Sequence, residues 1–254
     1  MQSSKEREKA ILKLLSEDST ISVTTLSAKL GVSVVTVRSD LNALAEQGLI
    51  VRSHGGASVS FHPDIIARQG SMTAQKNAVA TLAASLVKDG DTIMIEAGTT
   101  TALIAGHLLG KRDVHIVTNS TLIIPAARSN PSLHITVIGG EFRPSTESLV
   151  GPIALRDLDQ FHVSHFFIGT DGFSPETGLT THLVESAEVA KRMASQADKT
   201  VLVADAAKYG KAGFVKVLPL SEVDILITDN ALPEAIRNSL SGSGLEIMIA
   251  NVKE

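Results

Sequence analysis

The sequence predicts an α/β protein of two unequal parts: a small helical domain ending in a hairpin, then a larger domain built on an open, mostly parallel sheet. Three observations predict it. Up to Gln47 the apolar residues recur at helical spacing. From Ala74 onward helical patterns alternate with short β-branched runs. Several of those runs are apolar on both faces, as buried central strands must be.

In the small domain, Ala10, Ile11, Leu14 and Leu15 share one helical face, which gives a first helix ending near Glu17. Thr24 to Leu30 gives a second, with Leu26 and Leu30 turned inward and Gly31 just past its end. Ser33 is placed to cap a third, whose core face is Val34, Val37, Leu41 and Leu44 and which Gly48 closes. A tight Gly-containing turn between two short helices, the second starting on small polar residues, is the helix-turn-helix that puts a helix N-terminus into the DNA major groove. Ser33, Val35, Thr36, Arg38 and Ser39 are the exposed candidates on that leading turn. Residues 49–60 then read as two short strands joined at Gly55-Gly56, a wing with Arg52, His54 and Gly55 at or beside its tip, where an Arg reaches a phosphate or the minor groove. The helices alone would also fit a protein-interaction module; the wing favours the DNA reader.

Composition narrows the chemistry. The net charge is −4 over 254 residues, so bulk charge cannot hold nucleic acid and any DNA binding is local. Residues 1–60 carry a net charge of +1 and the remainder −5, a sign that suits a DNA-facing first domain. The absence of cysteine removes disulfides, thiolate metal sites and cysteine nucleophiles, and fits a reducing compartment. Charges interrupt the apolar residues of the first 19 positions, which offer neither a signal-peptide core nor a membrane span, so a cytoplasmic protein is expected. Tryptophan is absent and Tyr209 is the only tyrosine, which disfavours base stacking on aromatic platforms. The 8 histidines show no metal-ligand spacing, and neither metal nor cofactor is expected.

In the larger domain, the run DTIMIEAGTTTALIAGHLL (Asp91 to Leu109) reads as a strand, a small-residue loop and a helix. That order aims free backbone N–H groups at the loop, a site suited to a phosphoryl group. Gly98 permits close approach, and Thr99, Thr100 and Thr101 add hydroxyls, although such threonines also serve simply as helix caps. Other strands end alike: Asn119 and Ser120 follow one, Gly139-Gly140 a second, Gly169 to Gly172 with Asp171 a third, and Asp205 to Lys208 a fourth. Polar or glycine residues at five strand ends mark one sheet edge, where open α/β sheets bind ligands. Asp171, Asp205 and Lys208 become pocket candidates, Lys208 as the counter-charge for phosphate. Glu96 and Glu185 are candidate acceptors for sugar hydroxyls, with a solvated helix face the alternative for Glu185.

These residues resemble a family. Ser33, Thr36, Val37, Arg38, Asp40, Leu41, Arg52, Gly55 and Gly56 fall in register with the DNA-binding domain of the DeoR-type bacterial sugar-metabolism repressors. EAGTTT, TNS, GTDG, GLTT and DAAKYG look like that family's sensor domain, which is similar in fold to ribose-phosphate isomerases. Ser39 stands where the family commonly has Arg or Lys, Glu96 where it has Asp, and Ala206-Ala207 where it has two serines. Asp40 is expected to orient Arg38 or a helix end rather than read a base. The resemblance implies a phosphorylated sugar or sugar-derived effector and repression of a carbohydrate-utilisation operon; the residues of this edge expected to bind that effector are Glu96, Gly98, Thr99, Thr100, Thr101, Asn119, Ser120, Gly140, Asp171, Gly172, Glu185, Asp205 and Lys208.

The expected layout is a winged helix-turn-helix in residues 1–57, a linker in 58–73, and an effector-sensing domain in 74–254. The expected partners are double-stranded operator DNA, the effector, and further copies of the chain in a dimer or tetramer, because one recognition helix reads only a few base pairs. The alternative is a sugar-phosphate isomerase with an added DNA-binding domain. Gly178 to Thr181 stands where such isomerases carry a lysine followed by glycines, which argues against it.

Overall fold

The computed structural model describes residues 3–18, 20–53, 56–242 and 244–252. The chain divides into two compact units: residues 1–71 with Pro144–Thr146, and residues 72–143 with 147–254.

The first unit opens with α1 (Ser4–Glu17), α2 (Val23–Leu30) and α3 (Val34–Glu46). Ile11, Leu15, Leu26, Val37, Leu41 and Leu44 are its buried core, while Leu30 and Val34 lie partly buried against it. Each fully buried side chain of this size contributes about 1.5–3 kcal/mol. Gly31 ends α2 at φ 67°, a left-handed conformation that glycine adopts without strain. Strands β1 (Ile50–Ser53) and β2 (Gly56–Val59) pair antiparallel as the expected wing. The stretch expected as linker is largely ordered structure. Residues 58 and 59 finish β2, and α4 (Pro63–Gln69) follows with His62 as its cap, Pro63 in its first turn and Ile66 against the first unit's core.

The second unit begins with α5 (Thr73–Ser85), β3 (Thr92–Ile95), α6 (Thr101–Gly106), β4 (Val114–Thr118), α7 (Ile124–Ser129) and β5 (Leu133–Val137). A small hairpin of β6 (Glu141–Arg143) and β7 (Ser148–Val150) leads to α8 (Pro152–Leu158) and β8 (Val163–Ile168). Then come β9 (Gly172–Ser174), β10 (Gly178–Thr181), α9 (Val184–Ala194), β11 (Ala197–Val203), β12 (Val215–Lys216), β13 (Ile225–Asp229), α10 (Glu234–Ser241) and β14 (Glu246–Ala250).

Seven strands form one sheet in the order β14-β13-β11-β8-β3-β4-β5, and every pairing is parallel. The chain starts at β3, winds outward through β4 and β5, then returns to β8 and winds outward the other way. Alternating side chains divide between two cores: Met94, Phe166, Ile168, Leu202 and Leu226 pack with α8 and α9, and Ile93, Ile95, Phe167, Val201 and Ile227 pack with α5 and α6. That division is why these strands are apolar on both faces. Helix α5 lies against β11, β13 and β14. Strands β9, β10 and β12 make a separate antiparallel sheet, where an added Cβ on Gly172 would sit 2.2 Å from the Lys211 carbonyl oxygen and one on Gly178 2.2 Å from that of Leu218.

Candidate functional site

Two surfaces concern function, one in each unit. On the first, the Ser33 hydroxyl accepts the Thr36 backbone N–H at 3.1 Å and lies 2.8 Å from the Thr36 hydroxyl, so it caps α3 and occupies Thr36. Both were expected as reading residues; within the chain they also cap the helix. Val35, Arg38 and Ser39 remain exposed on the leading turns of α3, with Val35 76% exposed. An apolar side chain so exposed beside an Arg suits a groove that presents thymine methyl groups and guanine acceptors. Arg52 is exposed on β1; His54 and Gly55 lie outside the described residues. Asp40 orients neither Arg38 nor a helix end. Its carboxylate is buried and takes both nitrogens of an Arg7 fork, at 2.5 and 2.8 Å. The 33-residue separation of Arg7 and Asp40 gave no sequence signal.

On the second unit, the carboxyl ends of β3 and β8 lie side by side where the two windings part, the place where open α/β sheets bind ligands. Glu96 follows β3 and accepts the Gly169 N–H, after β8, at 3.0 Å. Burial pushes its carboxyl group up to about 8; the Gly169 hydrogen bond opposes this and the nearby Asp171 charge adds to it. Glu96 is therefore largely protonated at neutral pH and can donate a hydrogen bond. Asp171 is held by the Thr181 hydroxyl at 3.2 Å and the His182 N–H at 3.1 Å.

The β3–α6 loop supplies the donors. The backbone N–H groups of Gly98, Thr99 and Thr100 and the hydroxyls of Thr99 and Thr100 find no acceptor among the described residues. Thr100 precedes α6 without capping it through its side chain. Thr101 differs from expectation: it is fully buried and its hydroxyl donates to the Glu96 carbonyl at 2.7 Å, with the Gly98 carbonyl at 3.1 Å. Gly98 is tight for the same reason, since an added Cβ would lie 2.8 Å from the Thr101 hydroxyl.

The remaining expected residues make contacts within the chain to differing extents. Asn119 is buried, accepts the Ala97 N–H at 2.8 Å and donates to the Leu149 carbonyl at 3.3 Å, which fixes the loop. Ser120 is fully buried, its hydroxyl without a partner among the described residues. Gly140, at φ 143°, is pressed against the Val150 backbone, and Gly172 belongs to β9 against Lys211. Glu185 pairs with Arg143 at 3.1 Å on a half-exposed surface, and Arg143 also pairs with Glu141. Asp205 is buried with one carboxylate oxygen unpartnered, and Lys208, in the short turn after it, is partly exposed with no ion-pair partner among the described residues. Asp229 ties that turn to β13 by accepting the Ala206 N–H at 2.8 Å. Asp229 and Arg143 were missed, and Gly169 was read only as part of a strand end; the partners that involve them lie far away in the sequence.

A winged helix-turn-helix joined in one chain to a doubly wound α/β unit with a polar strand edge defines a DNA-binding regulator with a separate sensing module. The chain belongs to the DeoR family: residues 7–61 match the DeoR-like helix-turn-helix domain, and residues 71–230 match the DeoR C-terminal sensor domain. It is 32% identical to the HTH-type transcriptional repressor GlcR of Bacillus subtilis over 98% of this chain and 97% of that protein. It is 34% identical to the transcriptional regulator GlpR of Haloferax volcanii, covering 96% of each. Among solved structures, ribose 5-phosphate isomerase A of Methanocaldococcus jannaschii is 22% identical with a TM-score of 0.39 over 53% of each chain. The full-length relatives are named as regulators, and the chain is a transcription regulator rather than an enzyme, which sets aside the isomerase alternative. Among the described residues no helix is long and apolar enough to cross a membrane, and no three histidine or carboxylate side chains gather as metal ligands would.

Proposed function

We propose that the protein represses a carbohydrate-utilisation operon in the cytoplasm, reads its operator with residues 1–57 and is released when a phosphorylated sugar binds the sensing domain, residues 74–254. The observation that carries the effector reading is the row of three backbone N–H groups, Gly98 to Thr100, left without acceptors where the two windings part. Such a row matches the oxygens of a phosphoryl group. Lys208 supplies a cation, and protonated Glu96 and Asp171 supply a donor and an acceptor for sugar hydroxyls. An effector that favours one arrangement of an oligomer would change operator affinity by roughly 5–150-fold, a coupling of about 1–3 kcal/mol.

The test is a thermal-shift screen of pentose and hexose phosphates. A ligand at a hundred times its dissociation constant stabilises the fold by about 2.7 kcal/mol, or roughly 5–10 °C for a domain of this size. Thr100→Val and Lys208→Ala are expected to abolish that shift and to leave DNA binding intact. A shift that survives both substitutions places the effector elsewhere. On the DNA side, Arg38→Ala is expected to weaken operator binding about tenfold or more and to relax specificity. Unchanged affinity in a fluorescence-anisotropy titration would remove Arg38 from the reading surface.

A further inference from the structure

Helix α3 must approach a polyanion, yet its own charges are Arg38, Asp40 and Glu46, a net of −1. Asp40 lies two residues from exposed Arg38, a spacing that puts it on the opposite side of the helix, buried against the unit's own core, where an unpaired carboxylate would be costly. The structure answers this with Arg7 of α1. Its Nε donates to one Asp40 oxygen at 2.5 Å and its Nη2 to the other at 2.8 Å, with both side chains largely buried, 14% and 7% exposed.

This fork is the one directional tie between α1 and α3 among the described residues. The rest of their interface is apolar: Ile11 and Leu15 share one core with Val37 and Leu41, burial that carries no direction of its own. A planar two-point contact fixes both the position and the rotation of its partner. We propose that Arg7 is a positioning residue for DNA reading: by gripping Asp40 it sets the rotation of α3, and so the aim of Val35, Arg38 and Ser39. The inference rests on the DNA-binding role and not on the proposed effector.

The test uses the full chain and a duplex selected from random-sequence DNA by the wild-type protein, with an unselected duplex as reference. Three variants are compared by anisotropy titration over a range of salt concentrations, with melting curves to fix a temperature at which each is folded. Arg7→Met alone strands a buried charge and is expected to lower both the melting temperature and the preference for the selected duplex. Arg7→Met with Asp40→Leu replaces the pair by apolar volume, a change that commonly preserves or raises stability. The double variant is expected to regain the melting temperature while its ratio of selected to unselected affinity stays down by about tenfold, with an unchanged salt slope because no phosphate contact is lost. A double variant that regains both stability and the wild-type ratio overturns the proposal and leaves the pair a purely structural role. Arg7→Lys decides the matter if the double variant fails to fold: it keeps the charge and loses the fork. A reduced ratio with unchanged unselected affinity supports positioning, and a wild-type ratio refutes it.

Discussion

Gly172→Ala is expected to lower the melting temperature of the sensing unit by about 6–12 °C. The added Cβ would lie 2.2 Å from the Lys211 carbonyl oxygen, 2.3 Å from its carbon and 2.8 Å from the Ala212 nitrogen. All three are backbone atoms, so no side chain can swing aside, and the strand β9 or the 211–212 segment must move by more than an ångström. Overpacking of this kind costs about 3 kcal/mol, and in a unit of this size each kcal/mol is worth roughly 2–4 °C. Gly106→Ala is the matched comparison, because nothing lies within 4 Å of its added Cβ and the residue ends α6 without a positive φ. There the substitution is expected to be neutral or to stabilise by up to about 1 kcal/mol. Melting curves that treat the two sites alike would show that the β9 packing is looser than these distances imply.

The second large effect is Glu96→Gln. Folding raises the Glu96 carboxyl group from 4.5 to about 8, so between those values the folded chain keeps a proton that the unfolded chain releases. Raising the pH through that window therefore weakens the wild-type fold; below it and above it the effect is constant. Glutamine is neutral throughout and can still accept the Gly169 N–H. At pH 7 the substitution is expected to stabilise by about 1–3 kcal/mol, the partial exposure of Glu96 to water keeping the gain at or below the full linkage value. The gain should be near zero at about pH 4.5 and largest above about pH 8. Denaturant titrations across this range check it, and a gain that does not vary with pH would mean that Glu96 titrates as an ordinary carboxylate. On the proposed function, effector binding is expected to have a matching sign: an anionic ligand binds less well once Glu96 ionises.

Local signals were legible in the sequence and long-range ones were not. Ser33 followed by Thr36, with Gly31 before them, specifies a turn and a capped helix within a few residues, and the structure has both. The β-branched runs at residues 93–95, 116–118 and 201–203 are central strands for the stated reason, burial on both faces. Helix α4 escaped because only Ile65 of its seven residues is buried, too few for a periodicity; His62 and Pro63 were the available start signals. At the sheet edge, the strand ends identified the location, but their division into ligand-facing and supporting groups needed three dimensions. Thr101 and Asn119 look like Thr100 in a sequence of small polar residues; only the Glu96 and Leu149 carbonyls and the Ala97 N–H show that their hydrogen bonds are already committed. Gly172 read as a ligand contact because the chain that crowds it lies about forty residues away.

The placement of α5 has a consequence for synthesis. This helix is made before every strand of the large sheet, yet it rests on β11, β13 and β14, among the last to leave the ribosome. At translation rates of about 5–20 residues per second, roughly 10–30 s separate its emergence from that of β14. During that interval Val79, Ala80 and Ala83 lack their final cover, while the helices and wing of the DNA reader are all encoded before α5, and residues 144–146 of that unit follow before β8. Each newly made molecule thus passes through a stage in which the helices and wing of the first unit are made before the sheet of the second is complete, so the order of the chain sets the DNA reader apart from the domain it is joined to.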